Sequence, residues 1–358
     1  MKSRTSMKSL LLVAIFGLLC AIPSPGFGQA SNSLKLTQNG REVAVIKPYP
    51  WSGWWWPRRS APLVKVLNKF DEFVAARTGK NPGAGAWERK YHKGGEEWAG
   101  HCNGWSAASC LEAEPREPKT VDGFTFSIGD QKGLLTEQYM DCYFQFYGTR
   151  ANHDAPYDSD ILPHHFHRLL LEILKDKQIP LVVDTDAGEP VWNFPAYAFE
   201  SAWTVNAAKT QAAVVTKLYL ANDDVSADYL GTAGFIKTYK YTLNLNPAGE
   251  VIGGAWGRGT GGNHPDFVWV PTADSPPGGW ENPNINPVMV RAIIHPGSPL
   301  PVPPAPPSPP HPPAASATFS PVAMIQPADS SLTAAADTSV YDQVLNEAGL
   351  EGAELFKP

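Results

Sequence analysis

Trp98-Ala99-Gly100-His101-Cys102-Asn103-Gly104-Trp105-Ser106-Ala107-Ala108-Ser109 is the stretch on which the reading of this chain turns. A glycine-flanked cysteine opens a run of small residues, which predicts a helix from about Cys102 to Ala113, stopped by Pro115. At a helix N-terminus a thiol faces unpaired N–H groups and the positive end of the dipole, and both favour thiolate. Thiolate is the nucleophilic form, and the same N–H groups can hold an oxyanion. Small residues behind the cysteine let the helix sit close against a sheet that carries a base. The competing reading is a buried or disulfide-bonded cysteine, the commoner fate in an exported protein. From this motif alone the two stand level.

A thiol nucleophile needs a base, and Gly261-Gly262-Asn263-His264-Pro265-Asp266-Phe267-Val268-Trp269 offers one. His264 stands at the mouth of a predicted strand, and strand spacing puts Asp266 on its face, where it can orient the imidazole. A loop histidine and a turn-capping aspartate are the bland alternatives. Cysteine on a helix followed by histidine on a strand is the general Cys-His order. His164, His165 and His167, with Asp158 and Asp160 upstream, suggest a metal cluster. No matching ligand pair at metalloprotease spacing accompanies them, so a solvated helix start with His167 against the core is the favoured reading. Asp223, Asp224 and Asp228 lack the glycine and bidentate glutamate of a calcium loop. The residues therefore nominate no metal site.

Outward from the motif, Leu63 to Ala76 carries apolar positions at a helical period, ended by Gly79 and Pro82. A third helix is predicted from Pro163 to Leu174. Strands follow at Leu181–Val183, Val214–Leu220 and Tyr239–Leu245, the last alternating with polar residues. Asn246-Pro247-Ala248-Gly249 turns it into a hairpin with Val251–Trp256, and Phe267–Val270 is a further strand. Helices first and an antiparallel sheet afterwards predict an α+β fold. Residues 31 to about 60 read as an irregular aromatic arm ending in Trp51-Ser52-Gly53-Trp54-Trp55-Trp56, packed on the domain rather than binding glycan. Val183-Asp184-Thr185-Asp186-Ala187-Gly188 reads as a strand ending in a turn, with a carboxylate for the site as the second reading.

The 358 residues carry a net charge of -6 and no long basic run past the N-terminus, which leaves nucleic-acid binding without a footprint. Residues 1–30 read as a signal peptide: Lys2, Arg4 and Lys8 precede an apolar run, and Gly28-Gln29-Ala30 suits cleavage. The mature protein is expected to be secreted or periplasmic, without a membrane anchor. Removing Cys20 with that leader leaves Cys102, Cys110 and Cys142, an odd count. The simplest partition pairs Cys110 with Cys142 and leaves Cys102 free. Residues 31–295 form the expected catalytic domain. Eleven prolines in the stretch 296–313 mark a polyproline linker over 296–314, and 315–358 is an acidic tail expected to be disordered.

Several segments together resemble the transglutaminase elicitor family of oomycetes and its bacterial relatives. They are the Cys102 segment, Phe166-His167-Arg168-Leu169-Leu170, Val191-Trp192-Asn193-Phe194-Pro195, Gly253-Gly254-Ala255-Trp256 and His264-Pro265-Asp266-Phe267. The Val-Trp-Asn-x-Pro core is similar to the surface peptide that plants sense in that family, although Phe194 stands where glutamine is expected. The resemblance covers roughly residues 49 to 295. It implies a papain/transglutaminase-like domain with the nucleophile on a helix packed against an antiparallel sheet. It also implies acyl transfer from a protein glutamine to a primary amine, lysine or polyamine, through a thioester on Cys102. His264 is then the base, Asp266 its orienter, and calcium a cofactor expected at family level. A cysteine peptidase or glutamine deamidase uses the same thioester logic, and a wall- or glycan-binding protein with a structural Cys102 is the non-catalytic alternative.

Overall fold

The apolar periodicity of Leu63 to Ala76 is realised in the computed structural model, which describes residues 34–149, 160–188, 190–257, 263–273, 275 and 279–297. The expected leader, most of the proline-rich linker and the tail lie outside the described residues. The first element is a strand, β1 (Gly40–Val45), inside the stretch read as irregular. Helices α1 (Leu63–Thr78), α2 (Ala84–Tyr91) and α3 (Cys102–Leu111) follow. A small hairpin of β2 (Lys119–Val121) and β3 (Phe124–Phe126) leads into α4 (Ile128–Gln138). Ser127 and Asp130 close a reciprocal capping box at the start of α4. Then come β4 (Tyr143–Gly148) and α5 (Pro163–Leu169), which continues as a π-helical turn over Leu170–Asp176.

The sheet is completed by β5 (Leu181–Asp184), β6 (Asn193–Val205), β7 (Gln211–Ala221), β8 (Gly234–Leu245), β9 (Val251–Trp256) and β10 (Phe267–Ala273), before a last helix, α6 (Pro287–Ile294). Strand order is β4-β10-β5-β6-β7-β8-β9, with β1 also paired to β6, and every pairing is antiparallel. The domain is thus a mixture of helices and an antiparallel sheet.

Alternation along the strands sorts their side chains between two cores. Phe267, Trp269 and Val182 join Phe70, Trp105, Leu134 and Ile293 on the face covered by α1, α3, α4 and α6. Val268, Val270 and Val183 point the other way, into a core with Phe166, Leu170, Tyr239 and Tyr241 under α5. His167 lies in this second layer, fully buried with Nδ1 2.6 Å from the Tyr241 hydroxyl, as the core reading of that histidine predicts. The tryptophan arm packs inward. Trp51 and Trp56 are buried in the first core, and Trp51 Nε1 donates to the Glu112 carbonyl at 3.0 Å.

The cysteine partition needs correction. Cys102, Cys110 and Cys142 are all free thiols. Burial pushes the Cys110 thiol far up and that of Cys142 to about 12, as for thiols packed among apolar groups.

Candidate active site

Two close approaches set the position of α3. A Cβ on Gly100 would stand 2.5 Å from the Trp55 carbonyl oxygen, and one on Gly104 2.3 Å from that of Thr136. Glycine at both places lets α3 dock against the tryptophan arm and against α4, with its N-terminus held in the interior. Cys102 is the first helical residue, and no side chain caps the helix. Ser106, one turn on and on the same side of α3, donates from Oγ to the Asn193 carbonyl at 2.8 Å. The helix is thereby fastened to the first residue of β6.

Asn193 is the side chain that meets the thiol. Its Nδ2 lies 3.6 Å from Cys102 Sγ, while its Oδ1 accepts from Trp269 Nε1 at 2.9 Å. The indole N–H can only donate, so it fixes which end of the amide faces the sulfur. Sequence reading missed this role for Asn193. It placed the Val-Trp-Asn-x-Pro core on the surface, whereas Val191 and Asn193 are buried and line the cavity over Cys102. That cavity encloses about 430 Å³. Phe144 and Phe146 of β4 line it while remaining 53% and 43% exposed, enough to meet a macromolecule at the rim.

The thiol is protonated at rest. Burial, followed by the charges of Asp223 and Asp184, pushes it up to about 11, against the hydrogen bonds from Asn193. The dipole argument for thiolate is outweighed because the sulfur is buried away from water, with the charge of Asp223 adding to that.

Asp184 both ends β5 in a turn and supplies an acid near the thiol. Its Oδ1 accepts from the Trp192 amide at 3.0 Å, and Oδ2 has no hydrogen-bond partner among the described residues. Burial raises its carboxyl to about 8, reinforced by Asp266, just before β10, and by Asp186, which is itself paired with Lys237. The folded chain therefore holds a proton here that the unfolded chain releases near pH 4, and stability falls as pH rises from about 4 to 8. Each pH unit of that window is worth about 1.4 kcal/mol. Asp184→Asn keeps the acceptor for Trp192 and removes the titration. The variant is expected to gain at least about 2 kcal/mol over wild type between pH 5 and pH 9. Denaturant unfolding at both values measures this, and parallel pH profiles would refute it.

Neither His264 nor Asp266 lines the cavity over Cys102. His264 Nε2 lies 2.9 Å from Asp160 Oδ2, and the ring stacks on Trp256 at 5.3 Å. Trp256 packs against the core under α5. Asp266 is fully buried, and its carbonyl accepts from Ile161 N at 2.9 Å. Burial lowers the affinity of His264 for a proton, partly offset by Asp266 and Asp186.

Among the described residues, His, Cys, Asp and Glu side chains converge in a group of three at Glu88, His92 and His101. Asp223, Asp224 and Asp228 form no such cluster, and Asp228 Oδ1 is taken by the Gly129 amide at 2.7 Å.

Comparison with known proteins bears on this site. The sequence pattern of the family described as transglutaminase elicitor matches residues 88–224 and 203–278, more than half of the chain. In three dimensions the chain is similar to the crystal structure of the GP42 transglutaminase from Phytophthora sojae, with 24% sequence identity and a TM-score of 0.57. That match covers 73% of this chain and 92% of the other. No curated protein sequence matches.

Proposed function

The chain belongs to the transglutaminase elicitor family, and from that membership we propose that it is a protein-glutamine γ-glutamyltransferase working through a thioester on Cys102. The observation that carries the reading is the meeting of Cys102 Sγ with the oriented Asn193 amide at a cavity rimmed by exposed aromatic side chains. A cysteine opening a helix that packs on an antiparallel sheet is also the papain-like arrangement. Export follows from the basic and apolar pattern of residues 1–30. No described helix is long and apolar enough to cross a membrane.

In this scheme Sγ attacks the γ-carboxamide carbon of a glutamine side chain. The C–S bond forms, the C–N bond breaks, and ammonia leaves with the thiol proton. A primary amine then attacks the thioester, forms the isopeptide bond and returns a proton to sulfur. The oxyanion of each addition is met by Asn193 Nδ2 and the uncapped first turn of α3. Phe144 and Phe146 suit apolar residues flanking the glutamine in an extended donor chain. The test is incorporation of a fluorescent alkylamine into a glutamine-bearing protein. Ammonia release without incorporation makes the protein a deamidase, cleavage a peptidase, and neither outcome a binding protein.

Family order nominates His264, with Asp266, as the proton acceptor, whereas the His264 ring is engaged by Asp160. The two readings separate in His264→Ala. On the geometric reading its kcat falls less than about tenfold, and the rate of Cys102 alkylation by iodoacetamide is unchanged. A loss of about 10²–10⁴, with slower alkylation, would restore His264 as the base.

A further inference from the structure

One residue before the thiol, side chains from three helices converge on a buried cluster that the acyl-transfer scheme does not use. Glu88 comes from α2, His92 from its C-terminal cap, His101 from the N-cap of α3 and Glu137 from α4. Glu88, His101 and Glu137 are 0%, 1% and 4% exposed. His101 Nδ1 lies 2.9 Å from the Trp56 carbonyl, to which it donates, so in the neutral ring the lone pair is on Nε2. Nε2 faces Glu88 Oε1 at 3.3 Å and Glu137 Oε2 at 3.7 Å. Among the described residues Nε2, Glu88 Oε1 and both Glu137 oxygens make no hydrogen bond of good geometry, although Glu88 interacts with His101 and Glu137 with Asn282. His92 Nδ1 stands 2.6 Å from Glu88 Oε2. One ligating atom from each of Glu88, His92 and His101 falls within 4.8 Å of the others.

We propose that Glu88, His92 and His101, with Glu137 at the fourth position, bind one divalent transition-metal ion of the zinc class. Two ligands each about 2.0–2.1 Å from a tetrahedral zinc stand about 3.4 Å apart, the spacing of His101 Nε2 and Glu88 Oε1. The carbonyl of Trp56 fixes the tautomer of His101 in the way outer partners orient ligating imidazoles. Charge points the same way. Glu281, 3.3 Å from His92 Nδ1, is paired with Arg58, whereas Glu88 and Glu137 have no Lys or Arg partner among the described residues and face only the two imidazoles. Two imidazoles select against calcium and magnesium, which take oxygen. Arg58 and Glu281 also line the cavity over Cys102, which gives an ion a route in. Bound there, the metal ties α2, α3 and α4 together directly behind Cys102.

The test uses the full chain, stripped with a chelator and titrated with cobalt(II) chloride, then with zinc sulfate. One cobalt per chain is expected, with the visible absorption of a four-coordinate ion, displaced by zinc, and with a higher Tm for the zinc-loaded protein. His92→Gln, at the less buried edge of the cluster, should fold without metal and lose affinity by about 10–100-fold or more, as should Glu88→Gln. Cys102→Ala and His164→Gln should bind like wild type, placing the ion neither on the thiol nor on the other histidine group. Failure of folded wild-type protein to take up cobalt, or equal uptake by the Glu88 and His92 variants, would overturn the proposal. The imidazoles would then be held as protonated ion-pair partners of the carboxylates.

Discussion

Cys102→Ala is expected to lower amine incorporation to background, a loss of about 10⁴-fold or more, while leaving the fold in place. The loss is large because a covalent step has no substitute once its nucleophile is gone; the residual rate comes only from binding and oxyanion donors. The fold should survive because Cys102 is small and opens a helix whose position depends on Gly100, Gly104 and the Ser106 bond to Asn193. Alanine removes only a sulfur that accepts one long contact at 3.6 Å, and sulfur is a weak acceptor. Tm should therefore move by a few degrees at most. Cys102→Ser tests the same point with the shape preserved, and it too should be inactive because a hydroxyl is a much poorer nucleophile here. Turnover retained within tenfold in either variant would remove thiol chemistry from the protein, and the cavity would then be a binding site.

The close packing around Cys102 was legible because its signal is local. Glycines and small residues around one cysteine say that something must approach it closely, and the structure supplies Trp55 and Thr136. The hairpin of β8 and β9 was legible for the same reason, with alternation on one side of a turn. The longest strand was not. Asn193–Val205 is buried on both faces along most of its length, between β5, β7 and β1, so it shows no alternation, and Pro195 argues against it locally. Helix α4 was hidden by its composition. Gln131, Lys132, Thr136, Glu137 and Gln138 have the polar composition of an exposed helix face but are buried. Lys132 Nζ, for instance, is satisfied by Ser52 O, Glu114 and Tyr229 O, all distant in sequence. The partners of Cys102 and His101 were hidden similarly, since pairing Cys102 with Asn193 spans 91 residues and no periodicity announces such a contact.

Asn193→Ala is expected to reduce kcat by about 10²–10³ with little change in KM, the usual effect of removing one preorganised oxyanion donor. The amide is held on both sides: Trp269 Nε1 fills its Oδ1, and the Ser106 bond holds its backbone carbonyl. A donor fixed in this way needs no rearrangement as charge develops on the substrate oxygen. Truncation also leaves the buried Trp269 N–H without its acceptor, at a cost of about 1–3 kcal/mol, so rates should be compared per folded molecule. Asn193→Asp keeps an acceptor for Trp269 but loses the donor and sets a carboxylate beside the sulfur, so its deficit should be at least as large. Trp269→Phe gives the finer test. The ring remains, the N–H that sets the amide's orientation is gone, and Asn193 can turn its oxygen toward the sulfur. A drop of about tenfold is expected there, with most of the loss in kcat. If Asn193→Ala is slow and Trp269→Phe is not, Asn193 acts by filling space. If both variants turn over at the wild-type rate, the oxyanion is held by the first turn of α3 alone.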